Sequence, residues 1–391
     1  MPSSAPVPAW VTMPCYRGPS LNSVLPAAVE RLGIELPAAG PVGADWSEPG
    51  DERAAETPRG IVVLLVDGLG VANLAARAGH APFLNAGRRG ELVTGFPSTT
   101  VAALASLGTG LPPGRTGLAG YSLRDPATGR RANLIKWDTP TPPTAWQPHA
   151  TVFERLDAIG RPAAFVGEGR FADSAMTRSS LRGARFYPAD PKPASIVEAT
   201  RNAARAGDGL VYVYWGQLDK AGHAVGWESS QWAAALEALD QAVRRIVAEL
   251  PRAWELWLTA DHGMVDVTGA PVWDVAGDPI LAEGVGLVAG EARAVHLYAE
   301  DPAAVAARWR GRLGEHAWVL TKAEAIAAGL FGEVEERVEP YLGDVIVALA
   351  GRATVLDSRM PGGAAKMVGH HGSLTAAEMT VPLIRWSAPG G

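Results

Sequence analysis

The sequence predicts an α/β fold, with a mostly parallel central sheet flanked by helices and a smaller subdomain inserted late in the chain. Three observations lead there. Apolar runs at 61–66, 211–215 and 254–259, rich in β-branched and aromatic residues, read as strands buried on both faces. Between the last two, residues 230–250 place Ala234, Leu236, Leu239, Val243, Ile246, Val247 and Leu250 at steps of three and four, the spacing of an amphipathic helix. Each of the three runs also delivers an acid just past its end: Asp67, Asp219 and Asp261. Strands alternating with helices imply a sheet covered on both faces, and ligands of such sheets sit outside the carboxyl ends of the strands.

In chain order, residues 1–60 form an N-terminal segment whose last part, 36–60, is rich in Pro, Gly, Ala and acids and reads as a surface connection. Residues 61–266 and 367–391 are read as the α/β core. The stretch 267–366 is more Gly-rich and less regular, and is read as an inserted or peripheral subdomain with strands at 295–298 and 345–349 and a helix at 302–313. The chain then returns through Gly362-Gly363 and Gly369-His370-His371-Gly372.

Composition removes several classes of function. With 391 residues, 47% of them hydrophobic and 19% charged, the chain can bury a full core. A net charge of −6 offers no broad basic field for a nucleic-acid duplex. Cys15 is the only cysteine, so disulfides within the chain and thiolate zinc fingers are excluded, and any metal must be held by His and carboxylates. Residues 1–14 lack the pattern of a secretory leader and no stretch approaches the roughly 20 apolar residues of a membrane span, so a cytoplasmic location is expected.

The candidate chemistry lies at the strand ends. Asp219 and His223, four apart, share one face if their segment is helical; alone, such a pair is more often a solvated ion pair. Asp261-His262 ends an apolar run and is followed by Gly263, which permits a sharp turn; the plainer reading makes Asp261 the cap of a following helix. His371 adds an imidazole in a Gly-flanked loop. Together Asp67, Asp219, His223, Asp261, His262 and His371 give three carboxylates and three imidazoles. That set suits two divalent ions about 3.5–4 Å apart, with Zn2+ the first choice and Mn2+ or Fe as alternatives. Gly95-Phe96-Pro97-Ser98-Thr99-Thr100 feeds a small-residue helix at whose start a Thr hydroxyl serves either as an N-cap or as a metal-activated nucleophile. His80, His149, His296 and His316 lack ligand-spaced neighbours and read as surface or structural histidines. The thirteen tryptophans are scattered and read as core and rim packing rather than a stacking platform, with Trp137 and Trp227 the ones best placed to line a leaving-group pocket.

Val66-Asp67-Gly68, Phe96-Pro97-Ser98-Thr99-Thr100, Thr109-Gly110-Leu111, Asp219 with His223, Thr259-Ala260-Asp261-His262-Gly263-Met264 and His371-Gly372 occur in that order. In this the chain resembles the type I phosphodiesterase and nucleotide pyrophosphatase branch of the alkaline phosphatase superfamily, over 61–123, 211–266 and 367–384. The resemblance implies an alkaline phosphatase-like core. It also implies that Asp219, His223 and His371 hold one zinc, that Asp67, Thr100, Asp261 and His262 hold the other, and that Thr100 is the nucleophile. Where the family's phosphodiesterases commonly place an Asn to hold a phosphoryl oxygen, this chain has Tyr121, whose hydroxyl is the candidate substitute. Sulfatase relatives use a modified Cys in a context Cys15 lacks; bacterial alkaline phosphatases use an Arg, for which Arg115 and Arg124 are the candidates.

The expected activity is therefore metal-dependent hydrolysis of phosphoric diesters or nucleotide pyrophosphates through a phospho-threonine intermediate, with a small phosphate ester or nucleotide as substrate. The alternatives are a phosphomonoesterase or phosphonate hydrolase on the same site, or a catalytically silent metal-binding protein of the same fold.

Overall fold

A computed structural model describes residues 6–36, 56–207, 209–359 and 363–389. Most of the connection read at 36–60, and Gly362 of the returning segment, lie outside the described residues. The main sheet has seven strands in the order Arg88–Val93, Thr380–Ser387, Trp254–Ala260, Gly60–Val66, Leu210–Trp215, Ala164–Glu168, Arg185–Ala189. The five strands from Trp254–Ala260 to Arg185–Ala189 are mutually parallel. Thr380–Ser387 runs antiparallel to both of its neighbours.

The three apolar runs are the three adjacent central strands, with Gly60–Val66 in the middle and every one of its residues buried. A strand buried on both faces has no polar face to alternate with, which is why its sequence is an unbroken Ile-Val-Val-Leu-Leu-Val. Helices Pro193–Ala206 and Ser230–Glu249 pack against each other over this sheet, the second burying Trp232, Leu236, Leu239, Val243 and Ile246 along one stripe. Ser229 caps it by accepting the Trp232 N–H.

Within 267–366 the chain forms a separate four-stranded antiparallel sheet, ordered Val285–Glu291, Ala294–Ala299, Val345–Leu349, Ala317–Thr321. It has its own apolar cluster, in which Val295, Leu297, Val345 and Val347 meet Val305 and Trp309 of helix Pro302–Leu313. The tip of its first hairpin touches the main body. There Arg293 and Glu378, both fully buried, form a forked ion pair of 2.9 and 2.7 Å, and Arg293 also donates to the carbonyls of Leu349 and Ala353. Among the described residues, no helix is long and apolar enough to cross a membrane.

Candidate metal centre

Three parallel strands deliver their acids to one place. Asp67 follows Gly60–Val66 directly, Asp261 and His262 follow Trp254–Ala260, and Asp219 with His223 lie on the helix Gln217–Val225 that follows Leu210–Trp215. The Asp219–His223 pair is not a solvated surface pair. Its side chains are about one-fifth exposed, His223 Nε2 is 3.2 Å from Asp219 Oδ1, and His223 Nδ1 bonds the Gly369 carbonyl at 2.7 Å. Nor does Asp261 cap a helix: its Oδ1 accepts the Gly68 N–H at 3.1 Å and the His262 N–H at 3.0 Å. Gly263 is required for close approach and not for a left-handed turn, since a Cβ there would lie 1.9 Å from the Ala377 carbonyl oxygen.

The three imidazoles share one design. Nδ1 of His223, His262 and His371 each contacts a backbone carbonyl, of Gly369, Gly263 and Ser98, at 2.7, 3.0 and 2.9 Å. A carbonyl only accepts, so each ring carries its proton on Nδ1 and presents the Nε2 lone pair to the cluster. Burial holds His262 down to about 4 and His371 well below the ordinary value, so both are neutral near pH 7.

Facing these lone pairs are carboxylate oxygens. Asp67 Oδ1 and Asp261 Oδ2 lie 3.3 and 3.5 Å from His262 Nε2, and Asp219 Oδ1 lies 3.9 Å from His371 Nε2. All three oxygens are buried without a hydrogen-bond partner. When the carboxylates are ionised, these lone pairs point at one another with no proton between them, an arrangement that is repulsive unless a cation sits among them. The donor set of oxygen and imidazole nitrogen therefore fits divalent metal.

Two groups of atoms lie close enough to share an ion: Asp67, Asp261 and His262, and Asp219, His262 and His371. The His262 Nε2 lone pair can serve one ion only. Given to the first group, it leaves Asp219 and His371 to be completed by His223, whose ring centroid is 5.1 Å from that of His371.

Thr99 is the N-cap and Thr100 the first residue of helix Thr100–Thr109. Thr100 Oγ1 lies 3.3 Å from His262 Nε2, whereas the buried Thr99 hydroxyl faces Glu291. Tyr121 is 36% exposed; its carbonyl accepts the Leu134 N–H, and its own N–H faces Glu291.

Of the remaining candidates, Arg115 pairs with Glu335, and Arg124 lies over the Tyr298 ring at 4.4 Å. His370 faces the backbone of Ala364 and Met367, and His296 is buried, accepting the Gly343 N–H. His80 and His149 lie 2.7 and 3.0 Å from carboxylate oxygens of Glu237 and Glu335, and His316 lies against Trp273. Trp137 packs on Trp146 and Trp227 on Trp232.

Sequence reasoning missed two residues here. Tyr214, on the strand ending at Trp215, donates its hydroxyl to Asp67 Oδ2, and Glu291 ends a strand of the second sheet with its Oε2 4.0 Å from His371 Nδ1. Neither lies in a recognisable motif, and only the folded sheet brings them to the site.

Crowding acids in a buried place raises their pKa values. Burial first, then the neighbouring carboxylates, pushes Asp219 up to about 8 and Asp261 up to about 7, while Asp67 is raised well above the usual carboxylate range. Burial also pushes Glu291 up to about 8, opposed by the Thr99 hydroxyl and the Tyr121 N–H. A dication inverts this balance by supplying the missing positive charge.

The sign follows from linkage. A carboxyl whose folded pKa lies above its unfolded value favours the folded state at low pH, and that contribution is lost as pH rises through the folded pKa. Up to about pH 6.5 the lowered imidazoles of His262 and His371 act in the opposite sense, so metal-free protein is expected to lose thermal stability chiefly between about pH 6.5 and pH 8. Added zinc should raise Tm more at pH 8 than at pH 6, where protons compete for the ligands. Melting curves with and without chelator check this; a Tm rise from zinc that is larger at pH 6 contradicts it.

The family model described as type I phosphodiesterase / nucleotide pyrophosphatase matches residues 61–374. The chain belongs to that family. As a member it is a hydrolase of phosphate ester bonds, in a family whose members typically depend on divalent metal. Solved structures share the fold. Phosphonoacetate hydrolase from Sinorhizobium meliloti 1021, in complex with phosphonoacetate, matches with a TM-score of 0.66 at 19% identity, over 84% of this chain and 90% of that one. Murine ectonucleotide pyrophosphatase / phosphodiesterase 5 gives 0.65 at 16% identity over 83% and 87%, and an inactive variant of it in complex with AMP gives 0.66 at 16% identity over the same shares. No curated protein sequence matches the chain significantly.

Proposed function

We propose that the chain hydrolyses phosphoric diesters or nucleotide pyrophosphates at a two-zinc site, through a phospho-threonine intermediate on Thr100. The observation that carries this reading is the set of three unpartnered carboxylate oxygens facing imidazole Nε2 atoms, with the Thr100 hydroxyl 3.3 Å from His262 Nε2 at a helix start. Asp67, Asp261, His262 and Thr100 would hold one ion, and Asp219, His223 and His371 the other. When bound, the two ions would lower the pKa of the Thr100 hydroxyl and balance charge on the attacking and leaving oxygens.

The chain's own residues supply the rest. Thr100 Oγ1 attacks phosphorus in line with the departing oxygen, while the first-turn N–H groups of helix Thr100–Thr109 hold a non-bridging oxygen at the positive end of the helix. The Nδ1 bonds of the three histidines fix their rings, so the ligands do not reorient as charge develops. Water then cleaves the phospho-threonine. Small phosphate esters or nucleotides are the proposed substrates, consistent with the AMP complex of the murine neighbour.

Tyr121 favours a second reading. It stands where the family's phosphodiesterases carry an Asn, and a neighbour of equal TM-score is a phosphonoacetate hydrolase, so monoester or phosphonate cleavage is the alternative. Turnover of bis-p-nitrophenyl phosphate, p-nitrophenyl phosphate and phosphonoacetate by zinc-replete protein separates the two. The diester is expected to be fastest; a faster monoester or phosphonate supports the second reading, and no turnover of any ester leaves a metal-binding protein. On the best substrate, Tyr121→Phe is expected to lower kcat by roughly 10- to 1000-fold, the effect of removing one donor to a phosphoryl oxygen, with metal content unchanged. Unchanged kcat would make the hydroxyl a bystander.

A further inference from the structure

Glu291 is the last residue of strand Val285–Glu291, and it reaches the site from the second sheet. Its carboxylate meets three separate segments of the main body. The Thr99 hydroxyl, one residue before the start of the Thr100 helix, faces it, as does the backbone N–H of Tyr121. Its Oε2 lies 4.0 Å from His371 Nδ1, and its Oε1 is buried without a hydrogen-bond partner. The next residue after His371 is shaped around it. Gly372 has φ +128, and a Cβ there would lie 2.8 Å from the Cγ and Cδ of Glu291, so glycine is needed for the carboxylate to enter.

Two residues further along the same hairpin tip, Arg293 grips Glu378. Glu378 in turn accepts the Ser373 N–H at 3.0 Å and the Thr375 hydroxyl at 2.5 Å. The tip therefore holds the 371–375 loop at both ends, through Glu291 at its start and through the Arg293–Glu378 pair at its end. None of these atoms lies among those that would bind an ion, since His371 turns its Nδ1 edge, not Nε2, to Glu291.

From this geometry we infer that Glu291 is a positioning residue for the metal centre: it registers the segment carrying Thr100 against the loop carrying His371, and sets the ion held by His371. The inference rests on the two-ion reading given above. With the ions bound, their positive charge favours the ionised form of Glu291; a negative group beside the Nδ1 edge in turn favours the polarised imidazole that a bound cation creates, and partners of this kind, one step behind the ligand, typically change metal affinity by 10- to 100-fold when removed. Glu291 lies beside His371 itself but, on the segment carrying Thr100, reaches only Thr99 and not the Thr100 hydroxyl, so the effect falls mainly on the ion held by His371. The ion held by Asp67, Asp261 and His262 has its own supports in Tyr214 and in the Gly68 N–H.

The test is competitive zinc titration of the full chain against a chelator, for wild type, Glu291→Gln and Glu291→Asp. Gln keeps the shape and removes the charge, whereas Asp keeps the charge and withdraws it by one methylene. In Glu291→Gln one ion is expected to loosen by about 10- to 100-fold while the other keeps its wild-type affinity. Glu291→Asp should fall between, and the Tm of the metal-free variants should stay near wild type. Both ions retaining wild-type affinity in Glu291→Gln overturns the proposal, as does equal loosening of both. Wild-type protein that binds no zinc would instead overturn the two-ion reading, so the two failures are distinguishable.

Discussion

Thr100→Ala is expected to lower kcat by on the order of 10⁴-fold or more while the protein keeps its bound metal. The carboxylates and imidazoles that hold the ions come from other segments, so losing one hydroxyl removes the attacking atom and leaves the cage standing. Thr99→Ala is the informative partner. Its hydroxyl faces Glu291 and is not among the atoms that would hold an ion or attack phosphorus, so that variant should keep most of its turnover. Kinetics and elemental analysis on both proteins check the assignment. An active Thr100→Ala beside a dead Thr99→Ala would shift the nucleophile by one residue.

Loss of a ligand acts differently. His371→Ala and Asp261→Asn are each expected to bring the metal content from about two ions toward one and to cut kcat by at least about 10³-fold at limiting zinc. Excess zinc should restore part of that activity, because the remaining ligands still form a weaker site. The same excess should do nothing for Thr100→Ala, and this contrast separates holding the metal from attacking phosphorus. If both ligand variants keep two ions at wild-type affinity, the cluster is not the metal site.

Much of this site was legible in the sequence because buried parallel strands announce themselves. Ile61–Val66 and its two neighbours cannot alternate, so each appears as an apolar run whose end is sharply marked by a polar residue, and those ends are where Asp67, Asp219 and Asp261 sit. Strands Arg88–Val93, Ala164–Glu168 and Arg185–Ala189, set at or toward the two edges of the sheet, are short or mixed in composition, and no expectation covered them. In the second sheet, strand Val285–Glu291 escaped notice because Gly286 and Gly290 interrupt its apolar pattern. Glu291 was hidden with it. Tyr214 was hidden for another reason: inside an apolar run a tyrosine reads as packing, and only the neighbouring strand's register puts its hydroxyl against Asp67. What was not legible is what depends on contact between distant segments.

The antiparallel strand Thr380–Ser387 lies between Trp254–Ala260 and Arg88–Val93, and so, among the described residues, is the only member of the main sheet that ties Arg88–Val93 to the rest. Arg88–Val93 leads directly to the segment bearing Thr100, and His371 arrives just before Thr380. During synthesis on the ribosome, then, the nucleophile segment emerges long before strand Thr380–Ser387, its neighbour in the main sheet, has been made. The nascent polypeptide cannot assemble a working centre piecemeal, and competence arrives as a single late event that doubles as a check that the whole chain has folded.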